Sequence, residues 1–303
     1  MTRTLTAGST TTPEQIRLRK QAKRGINFNI LIAGENDLGK KTFINSLCDR
    51  ECYNLDKWQS NSQAGSKSDF SINTDLFEYS PEGCIPIKLR VFLTHNCGFS
   101  LKRNNTPDEI KEFIEKQYRT VLDEELKVNR NPNIDDTRIH VALYFIHAAI
   151  KGLSTFDICM MKTIGERVNL IPVIAKSDGL TFSELYKVKE VVIKDITEHK
   201  IKIFNFLEGD DEAKIIPELE STEYEYLSKL QKSIPFAIIG SNTVGTGKLT
   251  RTNKAGTINI EDETLCDFKL VKNILFGSHL QELKDITVQK LYEQFRIEEL
   301  SKG

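Results

Sequence analysis

The chain has 303 residues, 39% of them hydrophobic and 28% charged, with 42 Lys and Arg against 43 Asp and Glu for a net charge of −1. That length supports a sizeable core in one large domain or two ordinary ones, and the motifs below favour one. The balanced charge excludes a global field of the kind that carries nucleic acid, so any anionic partner must be met by a local patch.

Residues 1–14 are rich in Ser, Thr and Gly and read as a disordered tail, because they bury too little surface to offset their ordering entropy. Residues 15–25 hold Arg17, Arg19, Lys20, Lys23 and Arg24 with no acid among them. They read as a short basic helix or arm that meets an anionic membrane surface, each cation contributing about 1 kcal/mol there. A solvated face is the plainer alternative, and nucleic acid is the less favoured anion.

From residue 26 to 303 the pattern is that of one domain. Ile26 to Ala33 is an apolar run of strand character, followed by "GENDLGKKT", Gly34 to Thr42. A phosphate-binding loop G-x-x-x-x-G-K-[ST] surrounds phosphates with backbone N–H groups, reaches the terminal ones with its lysine and gives magnesium a hydroxyl. Gly34, Gly39 and Lys40 fit that pattern, while Lys41 stands where the hydroxyl belongs. An ammonium has no lone pair and cannot ligate a cation. A chance Gly-Lys pair is the bland reading, but the strand before the loop and the helix after it, with Phe43, Ile44 and Leu47 on one face, are the context the motif requires.

A hairpin is expected around Ser80 to Gly83, then a strand in which Ile85, Ile87, Leu89, Val91 and Leu93 alternate to give one buried face. Thr106 is expected as a helix N-cap, with Pro107 at the first helical position and Glu109 closing a capping box. Ile110, Phe113, Ile114, Val121 and Leu122 form that helix's apolar stripe. "RIHVALYFI", "VNLIPVIAK" and "IPFAIIGSN" are continuous apolar runs, the mark of strands buried on both faces of a parallel sheet. Helices are expected over 154–167 and 182–199, so the alternation predicts a layered α/β domain. "GTGKLTRTNKAGTINIEDE" reads as a loop with short strands, and Cys266 to Leu300 as a long helical region with Leu270, Ile274, Leu280, Leu283, Leu291 and Phe295 on its apolar side.

"AKSD", Ala175 to Asp178, follows a buried strand. The two carboxylate oxygens of Asp178 match the ring N–H and exocyclic amine of guanine, and the stem of Lys176 suits a purine face. In isolation a solvated charge pair explains the tetrapeptide as well. His140 and Tyr144 read as satisfied core residues, and His95 has no partner that suggests catalysis. Six cysteines, at 48, 52, 84, 97, 159 and 266, lack paired metal-ligand spacing and read as reduced, mostly buried thiols. The opening residues have no apolar signal core, and the most apolar run, Val141 to Ile150, is too short to span a bilayer, so the protein is expected to be neither secreted nor membrane-spanning.

The series of a basic segment, a phosphate loop, "RNPNIDDTRIHVALYFI", "VNLIPVIAKSD", "PFAIIGSN" and "NILFGSHLQELKDITVQKLYEQFR" resembles a septin over residues 16 to 298. The resemblance implies a Ras-like P-loop GTPase fold, a mixed, mostly parallel sheet flanked by helices, with septin-specific C-terminal elements. It implies a cytoskeletal subunit that co-assembles with other septins through two alternating faces, lying peripherally on the cytosolic side of a membrane at a septin ring, bud neck or sporulation membrane. The likeness is strongest to divergent fungal septins at the ends of the repeating rod, and the basic segment falls where septins meet phosphoinositides. The nucleotide-site positions it implies are Gly34, Gly39, Lys40, Lys41, Thr42, Gly98, Lys176, Asp178, Gly240 and Arg251.

The chain also departs from the family. Septins carry D-T-P-G-F-G where this sequence has "LTHNCG", so Leu93 replaces a magnesium-shell aspartate and Asn96 a glycine whose N–H meets the terminal phosphate. With Lys41, two positions of one ion's shell are replaced, which predicts no magnesium, lost GTP hydrolysis and therefore no enzyme. GTP or GDP is the ligand class for the cradle, with the balance toward an empty pocket. The rival reading is a working GTPase switch with unusual metal ligands. At the filament face spanning the nucleotide, Lys151 and Ala255 replace a histidine and a tryptophan, so its anchors are expected to differ.

Overall fold

A computed structural model describes residues 25–54, 70–80, 85–98, 105–129, 135–149, 151–207, 221–245, 247–253 and 256–302. The predicted tail, the basic residues Arg17, Arg19, Lys20, Lys23 and Arg24, most of the hairpin turn, and Ala255 lie outside the described residues.

Strand β1 (Ile26–Gly34) is the centre of the molecule, and its Phe28, Ile30, Leu31, Ile32 and Ala33 are fully buried. With β2 (Ser71–Tyr79), β3 (Ile87–His95), β4 (Val141–His147), β5 (Asn169–Ala175) and β6 (Phe236–Ala237) it forms a sheet in the order β2-β3-β1-β4-β5-β6. Only the β2–β3 pair is antiparallel; β1 pairs in parallel with β3 and β4.

Period-two alternation divides β1 between two cores. Leu31 and Ala33 face one cluster, which includes Ile110, Ile114 and Tyr118 of helix α2 (Thr106–Glu125), Met160 and Ile164 of α3 (Thr155–Gly165), and Val188 and Val192 of α4 (Phe182–Glu198). Ile30 and Ile32 face the other, with Phe43, Ile44 and Leu47 of α1 (Lys40–Cys48), Leu230 of α5 (Ser221–Ser233) and the C-terminal helices. Each such aliphatic side chain contributes about 1.5–3 kcal/mol by leaving water, and helices on both faces of a parallel sheet make every strand residue count.

Two expectations are corrected at this level. The capping box at Thr106 does not form: Thr106 is already helical, and the residue before it, Asn105, makes no side-chain cap bond. Capping boxes occur instead at Ser154–Asp157 of α3 and Thr181–Glu184 of α4. Strand β3 is not one-faced, since Phe92 and Thr94 are buried along with Val91 and Leu93. It is an interior strand between β2 and β1, and Phe92 packs edge-on against Phe113 of α2 at 5.3 Å between ring centroids.

A hairpin of β7 (Thr250–Asn253) and β8 (Gly256–Asn259) precedes the C-terminal region. That region is helical but segmented: α6 (Phe268–Asn273), α7 (Leu280–Ile286) and α8 (Glu293–Leu300), joined by wide π-type turns at Ile274–Ser278 and Thr287–Tyr292. The second wide turn rotates the stripe, so Tyr292 is buried and Leu291 only half-buried. Thr287 anchors it to the sheet: its hydroxyl lies 2.8 Å from the Leu283 carbonyl and 3.0 Å from the Asn169 side-chain amide, which donates to it.

His140 and Tyr144 are core residues. His140 is fully buried, and its Nδ1 accepts from the Asn29 N–H at 3.0 Å. Burial pulls its pKa down despite the Asp136 carboxylate near Nε2. The Tyr144 hydroxyl donates to Asp157 at 2.7 Å.

Candidate nucleotide site

The carboxyl ends of β1, β4 and β5 come out on one edge of the sheet, where ligands of open α/β sheets bind. Strand β1 turns there at Gly34, with φ 131°, and a Cβ at that position would lie 2.5 Å from the Phe145 carbonyl oxygen. Only glycine fits. Gly39, with φ 79°, is followed by α1; a Cβ there meets nothing within 4 Å, so the loop is open at that point.

Lys40 is 7% exposed, and its ammonium donates to the carbonyls of Gly34 at 2.5 Å and Glu35 at 3.0 Å. Burial lowers its pKa to about 8. The neighbouring Lys41 turns elsewhere, its Nζ standing 5.7 Å from the centre of the Tyr53 ring. Its pKa is lowered by burial, against the attraction of Asp75, whose carboxylate accepts from the Tyr53 hydroxyl. Thr42 directs its methyl at Gly240, where a Cβ would approach it to 2.8 Å. Glycine at 240 is thus a packing requirement of α1.

Leu93 is fully buried within the core beneath α1 and pairs in register with Ile32. Neither Leu93 nor Lys41 offers magnesium a ligand, and no group of three His, Cys, Asp or Glu that could hold a metal occurs among the described residues. His95 lies close to Lys40 and Lys41, and burial together with those charges lowers its pKa to about 4. Asn96 has φ 56°, left-handed backbone that asparagine tolerates, and is joined to Asn36 of the phosphate loop by two hydrogen bonds. Gly98 approaches the Glu35 carboxylate, with a Cβ position 3.3 Å from Oε1.

At the base end, Lys176 leaves β5 in left-handed backbone, φ 53°, and its side chain is exposed. A single 3-10 turn, Ser177–Gly179, follows, and places Asp178 at the surface edge. Arg251 reaches over from β7, its Nε 3.8 Å from Asp178 Oδ2, while its guanidinium also donates to the Asn242 side chain. Nε of Arg251 is buried and makes no hydrogen bond among the described residues. The structure therefore brings Gly34, Gly39, Lys40, Thr42 and Gly240 together around one loop, and Asp178 with Arg251. Lys151 is exposed in the segment after β4. Sequence reasoning missed Asn36, Tyr53 and Asp75, whose roles come from contacts 60 and 22 residues apart with no local signal.

A family profile described as Septin matches residues 24–303. The chain belongs to the septin family. It is 35% identical over 293 residues to Cell division control protein 11 of Saccharomyces cerevisiae, covering 94% of this chain and 69% of that protein. It is 33% identical over 324 residues to Sporulation-regulated protein 28 of the same yeast, covering 95% of this chain and 77% of that protein. The crystal structure of Cdc11 from Saccharomyces cerevisiae superposes with a TM-score of 0.57 at 28% identity, over 90% of this septin and 99% of that chain. The Ras-like α/β fold expected from the sequence is thereby shown.

Septins are GTP-binding cytoskeletal proteins that assemble with one another into filaments, and this septin is a cytoskeletal subunit of that kind. The expectation that it is not an enzyme is corrected by the same finding. Septins as a family are GTPases, some of them inactive, and substitutions at 41 and 93 do not show that hydrolysis is lost. No helix among the described residues is long and apolar enough to cross a membrane.

Proposed function

We propose that this septin is a filament subunit that holds a guanine nucleotide at the 34–42 loop, pairs with other septins, and rests on an anionic membrane through residues 15–25. The observation that carries the nucleotide reading is that the Gly34–Lys40 cradle and Asp178 lie at the carboxyl ends of two parallel strands, β1 and β5, on either side of β4, with Arg251 of β7 against Asp178. Backbone N–H groups of the loop and the Lys40 ammonium, released from the carbonyls it now holds, take the phosphates. Asp178 accepts from the base, Lys176 lays its stem along the purine and Arg251 stands beside the Asp178 carboxylate. Gly98 and Thr42 border the cradle, and Gly240 packs on Thr42.

Charge on the phosphates is balanced here without a metal ligand from positions 41 and 93; Lys41 stays with Tyr53 and Asp75. Nucleotide content of the purified septin, released by denaturation and resolved by ion exchange, tests the reading. Guanine nucleotide near one equivalent, retained after EDTA, supports it; a nucleotide-free protein that also takes up none on incubation defeats it. Turnover of GTP is measured on the same sample, as membership of a GTPase family requires.

The membrane part rests on the five cations of residues 17–24 without an intervening acid. Flotation with phosphoinositide-containing vesicles should fall sharply when all five are replaced by glutamine, and an unchanged flotation would remove the arm from membrane binding. Partner septins, with Lys151 and Ala255 at one face, are identified by the hetero-oligomer formed on co-expression. Division and sporulation, named by its yeast relatives, are the processes proposed for it.

A further inference from the structure

We infer, on the basis of the nucleotide reading above, that Asn36 and Asn96 form a clasp which makes this site favour guanosine diphosphate over the triphosphate. Asn36 is the third residue of the loop that starts at Gly34; Asn96 lies just beyond the end of β3. Because β3 is the parallel neighbour of β1, with Ile32 opposite Leu93, the segments leaving the two strands stand side by side. Asn36 Oδ1 accepts from the Asn96 backbone N–H at 3.0 Å, and Asn36 Nδ2 donates to Asn96 Oδ1 at 3.3 Å. The pair is a reciprocal two-bond link across 60 residues.

In the sheet order the clasp joins the ends of β1 and β3, whereas Asp178 follows β5 on the other side of β1. Lys40 is the group that meets the last phosphate of a diphosphate, and it sits on the Gly34 and Glu35 carbonyls. A third phosphate continues past it toward β3, where the terminal phosphoryl oxygens need an N–H donor. The donor on that side, the Asn96 N–H, is already taken by a neutral acceptor. Entry of the anion would set two acceptors, the Asn36 carbonyl oxygen and a phosphoryl oxygen, against one hydrogen. The adjacent Glu35 carboxylate, close to Gly98, adds like charge. A diphosphate leaves the link intact; a triphosphate must break both bonds and turn the Asn36 side chain away.

The backbone supports this arrangement. Asn96 has φ 56°, and its N–H meets the loop at Asn36; two residues earlier Thr94 is held to β1, its hydroxyl donating to the Ile32 carbonyl at 3.3 Å. The link is therefore between two held segments, and opening it costs about the net value of one or two hydrogen bonds.

The test is calorimetric binding of GDP and of GTPγS to the full chain, its Asn36→Ala variant and an Asn96→Gly variant that keeps the backbone N–H while removing the side-chain acceptor. The wild-type septin is expected to bind GDP at least about tenfold more tightly than GTPγS. Asn36→Ala is expected to narrow that ratio about tenfold, through tighter GTPγS with GDP nearly unchanged, and Asn96→Gly to narrow it less. Equal ratios in all three proteins, or a wild type that prefers GTPγS, overturn the clasp while leaving nucleotide binding standing. No binding of either nucleotide by any of the three overturns the nucleotide reading, and the clasp with it. The Asn96 amide resonance provides a check independent of affinity: it should move on GTPγS addition and stay on GDP addition in the wild type.

Discussion

The proposed base end and the proposed phosphate end of the site have been treated differently by this sequence. At the base end, Lys176 and Asp178 stand just past the last residue of β5, and Arg251 meets Asp178 from β7. At the phosphate end, Leu93 has joined the core, Lys41 has gone to Tyr53 and Asp75, and Asn96 is tied to Asn36. A loop residue tolerates a change of ligand chemistry, whereas a residue at the end of an interior strand, once apolar, becomes part of the packing and is costly to reverse.

That contrast can be broken most severely at Leu93. Leu93→Asp places an unpaired carboxylate in a fully buried position and should destabilise the fold by about 3–5 kcal/mol, read from the urea midpoint. An unchanged midpoint would mean that the position is not core, and that the phosphate end is as adaptable as the base end.

Asp178→Ala is the counterpart at the other end. It should leave the midpoint nearly unchanged, since Asp178 is partly exposed and its contact with Arg251 is long, yet weaken guanine nucleotide binding about a hundredfold or more by removing two charged acceptors. Equal affinity for adenine and guanine nucleotides in the wild type would dissolve the base-end assignment.

A smaller effect separates the ends by pH. The Lys40 pKa of about 8 in the free protein is lowered by burial, and a bound polyanion favours the ammonium. Binding above pH 8 is therefore accompanied by proton uptake, so affinity should be flat below pH 8 and fall by up to about tenfold per unit above it. Titration calorimetry in buffers of different ionisation enthalpy shows that proton directly. Constant affinity from pH 7 to 9.5 would place Lys40 outside the phosphate contact.

The smallest test concerns the far end of α1, which steadies the loop. Asn45 and Tyr53 exchange two hydrogen bonds of 2.8 Å and fold the segment after the helix back on it, beside Cys48. A hydrogen bond from Cys48 lowers the Cys52 thiol below its ordinary value, whereas burial raises Cys97 and Cys266 to about 11. Iodoacetamide at pH 7 should modify Cys52 well before either, by peptide mass mapping. The reverse order would mean that the fold-back is not formed.

The buried strands and the strand–loop–helix turn at Gly34 to Thr42 were legible because their signals are local: continuous apolar runs, a Gly-Lys spacing and the helix behind it. The failures have physical reasons too. Thr106 carries a cap signature but is drawn into the core, with 2% exposure, and its helix begins one residue sooner. Alternation from Ile85 to Leu93 gave no hint that Phe92 faces a second helical layer, because α2 supplies its partner from elsewhere in the chain. Nor did a steady apolar stripe reveal the wide turns that break the C-terminal helices, where Thr287 exchanges regular spacing for bonds to the sheet.

The sequence by itself determined the β/α order, the residues of β1, β4 and β5 buried on both faces, the loop of Gly34, Gly39 and Lys40 between β1 and α1, and the family. Tertiary structure alone decided that β3 lies beside β1, that Asn36 meets Asn96, that Lys41 lies over Tyr53, and that Arg251 reaches Asp178. Periodicity and loop spacing act over a few neighbouring residues, so one strand of sequence displays them. Contacts between segments 60 or 73 residues apart depend on strand order, and only the assembled sheet sets that.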